Sequence, residues 1–260
     1  MLSRTRFIVP NAFTSLNFLL GLFAICWASG AFTPKNAGIF SAYIIAGNFI
    51  IYSALLDKLD GFSAKVMNAS SEFGAQLDSL ADLVAFGLAP ALSLFFAYKT
   101  LVPQWFDINA PFLIIGVSVY TLATAIRLAK YNAMDSDSLP DYFMGMPSTF
   151  AGAANALVLI LMCNYNFWEL LPFKYLHLPL VLLVGTAVLM VAPLYLPKLK
   201  PRKNKIFNLF QITNIFFVYI CGFAMIFPEY LLFLILIYAV FGFGHGLLNK
   251  DKIEAEQAKS

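Results

Sequence analysis

The chain has 260 residues, 60% hydrophobic and 16% aromatic but only 12% charged, with a formal net charge of +3 and a mean hydropathy of +0.77. That balance excludes an ordinary soluble globular domain and makes lipid the main solvent. Membrane lipids are therefore the expected surroundings, and no nucleic-acid partner is expected.

A spanning helix takes about 20 mostly apolar residues. Eight such stretches follow one another, at roughly 13–31, 38–57, 74–98, 111–130, 148–163, 175–196, 207–226 and 229–248, which predicts an all-α integral membrane protein. The fifth is short and carries Gly152 and Asn155 ahead of its apolar run; glycine is common in membrane helices, so the span is retained. The first follows Arg4 and Arg6 but is long and has no small-x-small cleavage site, so it reads as a retained span. Cys26, Cys163 and Cys221 lie in or beside these stretches without CxxC spacing and read as small core residues. Trp27, Trp105 and Trp168 suit an aromatic belt, and His177 and His245 read as interfacial or packing residues.

Lys and Arg crowd the side that carries the N-terminus, from Arg4 and Arg6 through Lys58 and Arg127 to Lys250 and Lys252, whereas the other side has Lys35, Lys99 and Lys174. This asymmetry predicts cytoplasmic termini. The run KLKPRKNK at 198–205 belongs to it as topology-setting charge that can also attract anionic head groups.

Four aspartates carry the chemistry. Ionisable groups at membrane level are expensive, which makes them functional candidates. Asp57, Asp60, Gly61 and Ala64 fall at i, i+3, i+4 and i+7, one helix face, and Gly74, Asp78 and Asp82 fall at i, i+4 and i+8. The first group ends the second span and the second opens the third, so a short connection brings the carboxylates together. Converging carboxylates must take up protons or a cation. An all-oxygen set suits Mg²⁺ or Mn²⁺, with Ca²⁺ also compatible, and the absence of nearby His or Cys argues against zinc. Gly61, Ala64 and Gly74 leave a groove on the same face where a ligand can approach the backbone.

The string Asp57-x2-Asp60-Gly61-x2-Ala64-Lys65-x8-Gly74-x3-Asp78-x3-Asp82 resembles the defining motif of the CDP-alcohol phosphotransferases, departing only at Lys65, where the family has arginine. Lysine lacks arginine's planar two-point grip on phosphate. PNAFTSLNFLLGL (10–22), QLDSLADLVAFGLAPA (76–91), IRLAKYN (126–132) and GMPSTFAGA (145–153) further resemble the phosphatidylserine synthases of bacteria and archaea. The resemblance implies a six-helix core over 1–200, followed by a two-helix extension at 201–248 and a polar tail at 249–260. It implies CDP-diacylglycerol and L-serine as substrates, in a prokaryotic plasma membrane with the site facing the cytoplasm, and leaves a homodimer open. Asp57, Asp60, Asp78 and Asp82 would be metal ligands and Asp82 also the general base; Gly61, Ala64, Lys65 and Gly74 would line the CDP site.

Asn11, Thr14 and Asn17 recur at helical spacing at the start of the first span and could reach the nucleotide, although capping explains Asn11 equally well. Arg127, with Lys130, Tyr131 and Asn132, ends the fourth span, and arginine binds carboxylate well, as a serine acceptor requires. Ser148 after Pro147 opens the fifth span and is a further acceptor-site candidate. Inositol phosphate, glycerol phosphate or choline are the rival acceptors; a phosphorylated one should need more clustered cations than Arg127 and Lys130. A cation transporter is a rival of a different class, but its sites sit on broken helices in repeated halves, and residues 130–260 contain no second copy of the aspartate pattern.

Overall fold

Backbone groups in lipid have no water to pair with, so long apolar runs must satisfy their hydrogen bonds internally as helices. The computed structural model describes residues 8–32, 38–66, 71–133, 141–200 and 205–257, without the side chains of 8–10, 60–66, 207 and 255–257. Arg4, Arg6, Lys35, Arg202 and Lys203, used in the charge count, lie outside the described residues. In chain order come α1 (Ile8–Ala28), α2 (Ser41–Val66), α3 (Glu72–Asp82), a π-helical turn (Leu83–Leu88), α4 (Ala89–Leu101), α5 (Pro103–Ala133), β1 (Tyr142–Met144) and α6 (Ser148–Asn164). They are followed by α7 (Phe167–Leu170), a 3-10 turn (Phe173–Tyr175), α8 (Leu178–Val191), β2 (Tyr195–Pro197), α9 (Lys205–Ala224), α10 (Pro228–Leu248) and α11 (Lys250–Gln257).

Each predicted span falls on a helix. Among the described residues, six segments are long and apolar enough to cross a membrane: Asn11–Ala28, Ser41–Leu59, Glu72–Leu101, Pro103–Ala133, Phe173–Val191 and Pro228–Leu248. The fifth and seventh spans, Ser148–Asn164 and Asn208–Ala224, are shorter apolar helices.

The sixth span does not reach residue 196. Pro193 has no N–H to continue the helix and biases its predecessor to extended backbone, and Ala192 adopts φ −59°, ψ 142°. The chain then forms β2, which pairs antiparallel with β1, Phe143 opposite Leu196. The helical bundle thus carries a small two-stranded ribbon that the sequence reading did not contain. Helix α10 covers it: the Tyr238 hydroxyl donates to the Pro197 carbonyl at 2.6 Å, and Gly246 lies so close to the Tyr195 carbonyl that a Cβ has no room.

The third span is one continuous run with a widened turn in its middle. Pro90 cannot donate to the Phe86 carbonyl one turn earlier, and the buried Tyr120 hydroxyl of α5 donates to that carbonyl instead, at 2.7 Å. The tryptophan expectation needs correction. Trp105 and Trp168 are buried; Trp105 stacks on Tyr98 with centroids 4.2 Å apart, and Trp168 meets Tyr98 edge-on at 5.1 Å. Aromatic pairing with Tyr98 draws both indoles into the bundle interior. His177 packs edge-on against Trp105 and His245 lies parallel to Tyr142. Cys163 and Cys221 are buried free thiols and Cys26 is half-buried.

Candidate functional site

The start of α3 is fixed locally. Ser71 sits in extended backbone at the N-cap and its Oγ accepts from the Gly74 N–H at 3.0 Å, with Glu72 in the positive first turn. Asp78 and Asp82 then follow one turn apart on the face turned to α2. Asp57, Asp78 and Asp82 each offer a carboxylate oxygen, all within 4.8 Å of one another. Asp60, the fourth predicted ligand, is on the α2 backbone, but its side chain lies outside the described residues, as do those of Gly61, Ala64 and Lys65.

The three carboxylates have different surroundings. Asp57 pairs with Lys58 at 3.2 Å and accepts from the Thr149 hydroxyl at 3.1 Å. Asp82 is buried, with the Asn17 amide donating to Oδ1 at 3.3 Å and the Ser148 hydroxyl near Oδ2 at 3.4 Å. Arg127 in turn donates to Ser148 Oγ at 3.0 Å. Asp78 Oδ1 and Arg127 Nε are both buried with no hydrogen-bond partner among the described residues. A buried orphan acceptor and a buried orphan donor are costly. An acidic site with one unmatched carboxylate oxygen suits a cation, and an unmatched guanidinium N–H suits an anion.

Two close helix crossings produce this arrangement. On α1, Gly21 lies against Ala85, where an added Cβ would meet Ala85 Cα at 2.6 Å. On α6, Gly152 lies against Phe86, where a Cβ would meet Phe86 Cβ at 2.9 Å. One turn before each crossing stand Asn17 and Ser148, on either side of Asp82, itself one turn before Ala85 and Phe86. Helix α6 begins at the level of Asp82, which accounts for its 17-residue length. Its positive end faces the carboxylates with hydroxyls at its first two positions.

Other predicted residues are distributed around this centre. Asn11 Oδ1 lies 3.4 Å from where a Cβ on Gly74 would stand, so these two face one another. Thr14 is buried on α1. Arg127 and Ser148 are brought together, but Asn132 donates to Ser79 Oγ at 2.8 Å, and Lys130 and Tyr131 are exposed at the end of α5. These three are not brought to the carboxylates, because three to five residues beyond Arg127 the helix has turned and climbed away. Asn17, expected toward a nucleotide, turns to Asp82. Ser53 and Thr149 escaped the sequence reading: a lone small hydroxyl in an apolar helix carries no signal until its partner helix is known.

Residues 7–192 match the family described as CDP-alcohol phosphatidyltransferase. The chain belongs to that family. A Helicobacter pylori protein named CDP-diacylglycerol–serine O-phosphatidyltransferase is 33% identical over 213 residues, 81% of this chain and 80% of its own length. Proteins of the same name from Mycobacterium bovis and Bacillus subtilis are 31% identical over 240 residues and 33% over 196, covering 89% and 74% of this chain and 75% and 91% of their own. In this CDP-alcohol phosphatidyltransferase, the residues hydrogen-bonded around the carboxylates, from Asn17 to Thr149, all lie within the matched segment. Strand β2 and helices α9 to α11 lie beyond it.

Proposed function

We propose that this membrane transferase is a CDP-diacylglycerol–serine O-phosphatidyltransferase, moving the phosphatidyl group from CDP-diacylglycerol to the hydroxyl of L-serine and releasing CMP. The name its relatives carry supports the reaction. The observation that carries the chemistry is the convergence of Asp57, Asp78 and Asp82 with an unmatched oxygen on Asp78.

These aspartates, with Asp60, would hold Mg²⁺ or Mn²⁺, an oxygen-only donor set of the kind hard cations prefer. The bound metal supplies charge neutralisation for the two phosphates of the CDP lipid, the dominant need in phosphoryl-type transfer. Gly61, Ala64, Lys65, Gly74, Asn11 and Thr14 would line the nucleotide end. Asp82 receives the proton of the serine hydroxyl as that oxygen bonds to the phosphorus attached to diacylglycerol and the bond from that phosphorus to the CMP oxygen breaks. The free Nε–H of Arg127 binds the serine carboxylate, leaving the hydroxyl pointing toward Asp82. The crowding of Lys and Arg at the aspartate end supports a site on the cytoplasmic face, and the bacterial relatives support a prokaryotic plasma membrane.

Purified protein given CDP-diacylglycerol, serine and Mn²⁺ should release CMP. Equal assays with inositol phosphate, glycerol phosphate and choline should give little; release with one of them and not with serine would reassign the acceptor. Metal-dependent cation uptake into proteoliposomes without CMP release would overturn the transferase reading.

A further inference from the structure

Asn17 is fully buried on α1 and is not among the aspartates that define the motif. An uncharged amide in the middle of a spanning helix is either a link between helices or part of a site. Its two ends are both engaged. Nδ2 donates to Asp82 Oδ1, and Oδ1 accepts from the hydroxyl of Ser53, which also lies 3.1 Å from the Asn17 backbone carbonyl. Ser53 is itself fully buried, on α2, one turn before Asp57. With Asp82 ionised, the form that binds a cation or accepts a proton, the carboxylate accepts only, so the amide presents its NH₂ to Asp82 and its oxygen to the Ser53 hydroxyl.

We infer that Ser53 and Asn17 form a positioning relay, in which Ser53 holds the Asn17 amide and Asn17 holds the Asp82 carboxylate in the orientation its task requires. The relay crosses three helices and ends on the oxygen opposite the one near Ser148. The Gly21–Ala85 crossing, one turn away, sets its length. Outer groups that orient metal-binding side chains usually change metal affinity or activity by about 10–100-fold when removed.

The inference rests on the phosphatidyl-transfer reading of the same site, so one readout is taken without substrate. Mn²⁺ binding to the purified, substrate-free protein, followed by electron paramagnetic resonance, should weaken by about tenfold or more in Asn17→Leu and by a smaller factor in Ser53→Ala. In the CMP-release assay both variants should lose kcat, with the KM for CDP-diacylglycerol unchanged. Asn155 provides the comparison, because its amide donates to Thr186 Oγ1 at 2.9 Å between α6 and α8 and touches none of the aspartates. Asn155→Leu should lower thermal stability yet leave Mn²⁺ affinity at the wild-type value. If Asn17→Leu fails to fold, Ser53→Ala, which removes one hydroxyl, decides the matter. Wild-type Mn²⁺ affinity and kcat in a folded Asn17→Leu, or in Ser53→Ala where that is the only folded variant, would overturn the relay. A loss of Mn²⁺ affinity in Asn155→Leu equal to that in the relay variants would overturn it too, reducing Asn17 to a link between helices. Absence of CMP release by the wild type would instead count against the function proposed above, while the Mn²⁺ result would stand.

Discussion

Asp82 differs from its neighbours in having a protein donor near each of its two oxygens, Asn17 on one and Ser148 on the other. Asp57 leans on the half-exposed Lys58 and on Thr149, and Asp78 keeps an oxygen unmatched. The most constrained carboxylate is suited to proton transfer, which depends on aim, and the least satisfied one to holding a cation. Asp82→Asn should therefore keep the fold and lower kcat by about 10²–10⁴-fold, the range typical of a positioned base; turnover near wild type would remove that assignment. At Arg127 the expected change is in recognition. Arg127→Gln, which removes the unmatched Nε–H proposed for the serine carboxylate together with the bond to Ser148 Oγ, should raise the KM for serine at least tenfold while leaving that for CDP-diacylglycerol nearly unchanged. Parallel rises in both constants would mean that Arg127 serves the site as a whole.

Among the elements, the helix crossings decide how precisely these side chains meet. A valine at Gly152 would drive its branches into Phe86, and overpacking of this kind costs about 1–3 kcal/mol; Gly152→Val should lower the unfolding temperature and, by pushing α6 outward, lower activity further than stability alone explains. Tyr120→Phe removes the donor to the Phe86 carbonyl within the π-helical turn and should cost roughly 1–3 kcal/mol, as expected when a buried acceptor loses its partner. Sequence alone exposed the spans and the aspartate phase, because charges in apolar helices stand out and Asp78 and Asp82 keep their i, i+4 relation wherever the helix goes. Ser53 and Thr149 stayed hidden, and Asn17 was expected toward a nucleotide instead of Asp82, for the converse reason: their partners lie on other helices, 36, 92 and 65 residues away, at crossings no local pattern reveals. The ribbon was equally invisible, since Tyr142–Met144 and Tyr195–Pro197 are three residues each, too short for alternation to register. Trp105 and Trp168 were expected in an aromatic belt, whereas the Tyr98 ring draws both inward.

For the molecule as a whole, the aspartates and the groups that hold them come from five helices, α1, α2, α3, α5 and α6, so removal of a cation held among them should be felt by all five. Chelation should abolish CMP release and lower the unfolding temperature, with both restored by Mn²⁺, since a ligand that binds only the folded form stabilises it by mass action. An unchanged unfolding temperature on chelation would argue that the carboxylates are held by the protein alone. The ribbon adds a temporal consequence. Strand β1 leads directly into Ser148 and Thr149, and its partner β2 is covered by Tyr238 and Gly246 of α10, residues made well after them. A nascent chain carrying α1 to α8 already possesses Asp57, Asp78 and Asp82, yet the ribbon behind Ser148 and Thr149 still lacks its cover. The order of translation thus makes α10 the helix that completes the support behind these two residues, after the acidic ones have entered the bilayer.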